Sequence, residues 1–112
     1  MDQDQRCQQR VSVSIPVSLT HQQQTTRCKM LNISLCGMGL VSQHPLSENS
    51  QVTVELSLPS YNETQKLKLA AEVIHCTLVH GSYLFGLSFI DLGIHEQLVI
   101  KEFSYFHQRF EA

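Results

Sequence analysis

Two short stretches carry side chains able to grip an anion. "RCQQR", residues 6–10, sets Arg6 and Arg10 four apart, which puts both on one face if this arm forms a helical turn. A guanidinium is a planar fork of donors, suited to bidentate contact with a phosphate or with the O6/N7 edge of guanine. "LNISLCGMG", residues 31–39, holds Asn32, Ser34 and Gly37. At a strand end Asn32 and Ser34 point the same way and offer an amide beside a hydroxyl. Gly37 permits positive φ or a close approach to bare backbone. Taken singly, each stretch also has a plainer reading: a solvated polar tail for the first, a β-turn for the second, since Asn, Ser and Gly all form turns.

Other chemistry finds less support. His75 and Cys76 are adjacent, and neighbours on a strand point to opposite faces, so they do not share a metal easily. No G-x-S-x-G, P-loop or H-E-x-x-H occurs, and no acid–base pair stands out among the scattered carboxylates, so a non-enzyme is expected with neither metal nor cofactor. Cys7, Cys28, Cys36 and Cys76 lie at least eight residues apart with no CxxC pair. Four reduced thiols in a cytosolic chain is the expectation.

The 112 residues suit a single domain, with 42% hydrophobic residues for one core and a net charge of −2. That charge supplies no global positive field for DNA, RNA or acidic lipid. Any anion must be met by a local cluster. "MDQDQRCQQR" has no apolar run typical of a secretory signal. No segment approaches the ~20 apolar residues of a membrane span. The sequons at Asn32 and Asn62 are therefore not expected to be glycosylated, and a cytoplasmic location without membrane insertion is expected.

The elements that must position these residues follow from periodicity. "VSVSIPVSL", residues 11–19, alternates strictly, a strand with one buried face. Pro16 cannot donate to a ladder, so an edge or a bulge is expected there. "HQQQTT" reads as a hairpin loop and "TRCKML" resumes the alternation, with Arg27 and Lys29 on an exterior face. "SLCGMG" reads as a turn, "MGLVS" as a short strand and "SQHPLSENS" as a loop. "VTVELSL" alternates again. In "KLKLAAEVIHCTLV" the apolar phase changes near residues 73–74, which predicts a bulge. "YLFGLSFI" closes the β portion. Val99, Phe103, Phe106 and Phe110 are then spaced 4, 3 and 4 and flanked by Ile100 and His107, the stripe of a helix over 94–110, with Gly93 and Glu96 at its start. The expected fold is all-β: a small antiparallel barrel of six to seven strands over 11–91, an N-terminal arm over 1–10, and a C-terminal helix.

Arg-x-x-x-Arg before the first strand, Asn-x-Ser-x-x-Gly after the second, and "GLSFIDLG" leading into a terminal helix together resemble the PilZ family, over essentially the whole chain. Members bind the bacterial second messenger cyclic di-GMP. The resemblance implies that Arg6 and Arg10 clamp phosphates and guanine edges, and that Asn32 reads a guanine at a position that is Asp or Asn in the family. It further implies that Ser34 contacts phosphate or ribose and that Gly37 lets the backbone come close. Gln5 stands where some members have a further Arg that favours an intercalated ligand dimer, which leaves one or two ligands per chain. His75 lies near where members often place an aromatic that packs on the ligand. The implied function is a receptor whose arm rearranges on binding cyclic di-GMP and which signals to a protein partner in trans, in motility, biofilm or secretion control. The alternative is a PilZ-like protein-interaction module that binds no ligand.

Overall fold

The structure is a computed structural model that describes residues 10–59 and 63–111, the side chains of 108–111 excepted. Gln5, Arg6 and Asn62 lie outside the described residues, as does the arm up to position 9. Six strands run β1 Val11–His21, β2 Gln24–Ile33, β3 Gly37–Ser42, β4 Gln51–Pro59, β5 Thr64–Val79 and β6 Ser82–Phe89, followed by α1, Ile94–Glu111. They close into an antiparallel barrel in the order β1-β2-β3-β6-β5-β4. The period-two alternation sends Val17, Leu19, Met30, Leu40, Val54, Leu58, Leu69, Phe85 and Leu87 into the interior, and closure leaves few free edges.

The hairpins are tighter than composition suggests. β1 and β2 are joined by Gln22 and Gln23 alone, both at positive φ, 51° and 70°. This is the double left-handed conformation of a two-residue hairpin turn, and it extends β2 back to Gln24 through residues that read as loop. His80 and Gly81 make the equivalent turn between β5 and β6, at φ 51° and 82°.

Pro16 faces Lys29 across the β1–β2 ladder, beyond a register shift between Ser12 and Ile15. On its other side β1 pairs with β4 only from Ser18 to Thr20. The proline therefore lies beside a bulge, on a stretch of β1 that has no ladder with β4. The phase change in β5 is also a register shift, between Val73 and His75.

Helix α1 rests against β1, β4 and β5. Among its described side chains the fully buried ones are Ile100 and Phe103, with 0% and 1% of their surface exposed, whereas Phe106 keeps 36%. The inward stripe thus centres on Ile100 and Phe103, with Val99 packed against the core beside them and Phe106 at its margin. The His107 ring packs 4.5 Å from that of Phe103. The side chain of Phe110 lies outside the description. Burying Ile100 and Phe103 contributes about 1.5–3 kcal/mol each, enough to hold the helix on the barrel. Among the described residues no helix is long and apolar enough to cross a membrane.

Candidate ligand-binding site

The two motifs meet because β1 and β2 are antiparallel neighbours. Ser12 pairs with Asn32, so the start of β1 lies beside the end of β2. Arg10 Nη1 donates to Asn32 Oδ1 at 2.7 Å. A guanidinium only donates, so this contact fixes the amide: the oxygen faces Arg10 and Nδ2 points away.

From Asn32 a row of paired residues crosses the barrel wall. Asn32 pairs with Gly39 of β3, Gly39 with Gly86 of β6, and Gly86 with His75 of β5. Neither glycine carries a side chain, so the middle of the row is a trough whose sides are Asn32 and His75. The flanking groups lean into it. A β-carbon at Gly39 would lie 2.8 Å from Asn32 Nδ2, and one at Gly86 would overlap the Nε2 end of the His75 imidazole. Arg10, Asn32, Gly39, His75, Leu84 and Gly86 belong to the lining of a cavity of about 360 Å³ here, within the range of small-molecule clefts. Asn32 and His75 each directly follow a register shift, between Met30 and Asn32 and between Val73 and His75. Bulges re-aim side chains in this way.

Ser34 and Gly37 are placed differently. Ser34 is 1% exposed. Its Oγ accepts from the Cys36 amide at 3.1 Å and lies 3.5 Å from the Gly37 carbonyl. The Ser34 amide donates to the Gly37 carbonyl at 2.9 Å, and the Phe89 amide to the Cys36 carbonyl at 2.9 Å. The pair thus builds a side-chain-closed turn that is pinned to β6. At Gly37 a β-carbon would run into the carbonyl of Leu87, so the bareness of this residue is taken up by the approach of β6. Neither residue lines the cavity.

Cysteine chemistry differs from the expectation of four thiols. Cys28 and Cys76 are free, but Cys36, inside that turn, is disulfide-bonded. Burial pushes the Cys28 thiol pKa up, partly offset by a hydrogen bond with Ser42. A larger cleft of about 440 Å³, lined by His21, Cys28, His44 and Phe85 among others, contains none of the predicted site residues. It sits at the other end of the β1–β2 hairpin.

A family model described as the PilZ domain matches residues 4–106. The chain belongs to the PilZ domain family. Among curated proteins, none matches it in sequence. Solved structures share the PilZ fold at low identity. The Bacillus subtilis inhibitor of motility MotI/DgrA superposes with a TM-score of 0.82 at 15% identity, over 91% of this chain and 50% of that one. The PilZ domain of Escherichia coli YcgR with c-di-GMP gives 0.75 at 15% identity, over 91% and 90%. The Borreliella burgdorferi PlzA protein in complex with c-di-GMP gives 0.66 at 12% identity, over 91% and 42%. The chain thus spans about half the length of MotI/DgrA. At these identities the likeness concerns the PilZ barrel itself.

The trough glycines, Gly39 and Gly86, are the site residues that sequence reasoning did not single out. The available signal was the pair of glycines in "CGMGLV" and "LFGLSF", each at an outward-facing position of an otherwise apolar alternation.

Proposed function

We propose that this PilZ protein is a receptor for cyclic di-GMP. The observation that carries the reading is the row Asn32–Gly39–Gly86–His75 with Arg10 bonded to its end. A cyclic dinucleotide presents flat purines and two phosphates. A side-chain-free strip of strand accepts a planar ring, Asn32 supplies amide hydrogen bonds, and the His75 imidazole supplies an aromatic neighbour. Arg10 has N–H donors beyond the one used on Asn32, and these suit a phosphate. Arg6 acts as the second arm of the clamp when the arm closes over the ligand, so binding is linked to ordering of residues 1–10. In this scheme Ser34 and Gly37 set the turn that holds Asn32 in place.

Two of the superposed structures, the PilZ domain of YcgR and PlzA, hold c-di-GMP, which supports the same ligand class here. The chain has no catalytic role in this scheme. Its output runs through a protein partner that recognises the closed arm, in the cytoplasm. Titration calorimetry of the purified chain with cyclic di-GMP tests the reading. Saturable heat at micromolar ligand is expected, and none at high micromolar would refute it, leaving a protein-interaction module as the alternative.

A further inference from the structure

Strand β5 outruns its neighbour β4. The two pair only as far as Gln51 opposite Glu72. The loop before β4 adds a bond from the Asn49 amide to the Val73 carbonyl and one from the Val73 amide to the Ser50 carbonyl. Beyond Val73, β5 pairs with β6 alone among the described strands, so residues 74–79 form a free strand edge. Their sequence, "IHCTLV", contains no Lys, Arg, Asp, Glu or Pro, the residues that keep exposed edges from pairing. Its large apolar side chains stay at the surface: Ile74 is 55%, Leu78 61% and Val79 36% exposed. The stretch of β1 without a ladder to β4 differs in this respect, because it carries Pro16.

The hairpin turn sets the direction of the free main-chain groups. His80 and Gly81 form a two-residue turn, which makes Val79 and Ser82 a hydrogen-bonded closing pair. Hydrogen-bonded and open pairs alternate along an antiparallel ladder, and the register runs unbroken from Val79–Ser82 to His75–Gly86. His75, Thr77 and Val79 therefore bond to β6, whereas Cys76 and Leu78 turn their N–H and C=O groups to the open side. We propose that this edge pairs with the same edge of a second copy of the chain, as an antiparallel, two-fold symmetric strand pair centred on Thr77.

A second copy fits because the edge is complementary to itself. With Thr77 facing Thr77 of the second copy, Cys76 faces Leu78 of the second copy and Leu78 faces its Cys76. The outward N–H and C=O groups of both chains are then matched one for one. A slip of one residue would set them against residues whose groups are already bonded to β6. No like charges meet across the pair, and Thr opposite Thr is a favourable cross-strand neighbour. Cys76 and Leu78 lie on the same side of the sheet as Phe85 and Tyr83, their partners in β6, so the apolar sides of the two copies become continuous. On the other side His75, at the end of the trough, faces Val79 of the second copy. A contact of one patch with itself about a two-fold axis is the commonest form of oligomer. Six residues a side, 74–79, is far below the ~20–30 of a standard interface, so the association is weak and reversible.

Sedimentation velocity of the full chain, with dithiothreitol to prevent disulfide-linked species and without any nucleotide, tests the pairing independently of ligand binding. The weight-average mass should climb from one chain toward two between ~10 μM and ~1 mM protein. Thr77→Lys sets two ammonium groups against each other at an exposed position on the axis and should abolish the rise. Leu78→Pro removes an outward N–H that β6 does not use, and it should also leave a monomer. Thermal melts check that both variants keep the barrel, and if Leu78→Pro does not, Thr77→Lys decides alone. Thr77→Cys in a Cys76→Ser background reads the register. The Cα atoms of an open central pair lie ~4.5 Å apart, within disulfide reach. Trypsin cuts after Lys68 and Lys101, so oxidation of this variant should join residues 69–101 of one copy to residues 69–101 of the other. A parent chain that is monomeric at ~1 mM, leaving the edge to a strand from a different protein, overturns the proposal. A dimer that survives Thr77→Lys, or a Thr77→Cys variant that dimerises without the 69–101 linkage, overturns it as well, since the contact then lies elsewhere.

Discussion

Two glycine-to-alanine substitutions separate the frame of the site from its binding surface. At Gly37 a β-carbon would strike the backbone carbonyl of Leu87, with the carbonyl carbon at 3.0 Å. Backbone on a paired strand cannot swing away, because Gly37 is itself paired with Ser88 in the β3–β6 ladder. Overpacking of this sort costs about 1–3 kcal/mol, and here the upper end applies. Alanine recovers about 0.4–1 kcal/mol by restricting the unfolded chain, so the net loss is about 2 kcal/mol or more. For a chain of this length that lowers Tm by roughly 8 °C or more. At Gly86 the clash is with the His75 ring, the end of an exposed side chain that can change rotamer. The cost and the unfolded-state gain then nearly cancel, and Tm should stay within roughly 4 °C of the parent. The methyl group and the displaced imidazole would occupy the trough instead. The loss of base contact is about 1–3 kcal/mol, or roughly 5- to 150-fold in affinity for cyclic di-GMP. Thermal denaturation and calorimetry on both variants read the two effects. Parent-like affinity in Gly86→Ala would refute the trough as the binding surface. A parent-like Tm in Gly37→Ala would refute the assignment of Gly37 to the frame.

Arg10→Ala should weaken cyclic di-GMP binding by about 1.5–3 kcal/mol per charged hydrogen bond lost, roughly 10- to 150-fold. Its exposed bond to Asn32 makes the accompanying change in Tm small, and calorimetry with thermal melts distinguishes the two. Ser34→Ala leaves the Cys36 amide without its acceptor and should cost about 1–3 kcal/mol in urea denaturation. Phe103→Ala removes the buried anchor of α1 and should cost about 3–5 kcal/mol by the same measurement. The buried Cys28 thiol has its pKa raised above the ordinary 9.0, so it holds its proton more tightly in the folded chain than in the unfolded one. Its contribution to stability is full below the ordinary value and is lost as pH rises through the folded value. Denaturation followed from pH 7 upward should therefore show a falling midpoint in the alkaline range, and the fall should be smaller in Cys28→Ala.

The strands were legible because each has one buried face, and a period of two survives any detail of register. The β5 bulge was legible for the same reason, as a slip in that period. The Gln22–Gln23 turn was not. Its backbone needs two positive φ angles, which glutamine does not advertise as Asn-Gly does. The helix and its apolar stripe were legible from the spacing, and the barrel wall decides how deep each side chain goes: Ile100 and Phe103 are buried, Val99 packs beside them, and Phe106 keeps 36% of its surface. The meeting of Arg10 and Asn32 needed only that β1 and β2 form a hairpin. The trough needed much more. Joining Asn32, Gly39, Gly86 and His75 takes the register of three successive strand pairs, two of them shifted by irregularities beside the residues concerned. A one-residue error in either shift would send a side chain to the wrong face.

Asn32 departs from the carboxylate that some PilZ domains have at this position, and the geometry gives the amide a use of its own. A carboxylate would only accept, and Arg10 and a guanine N–H would have to share it. The amide divides the work. Oδ1 is committed to Arg10 at 2.7 Å, while Nδ2 lies over Gly39, where a β-carbon would come within 2.8 Å of it. That places the donor end of the side chain over the trough. On the receptor reading, Asn32 then offers a donor to the O6 or N7 acceptors of a guanine while Arg10 keeps its seat. Arg10 need not leave Asn32 for the base to be read, and its other N–H groups remain for phosphate. The same amide that holds the Arg10 guanidinium can therefore contact the purine in the complex. Gly39 is what gives it the room.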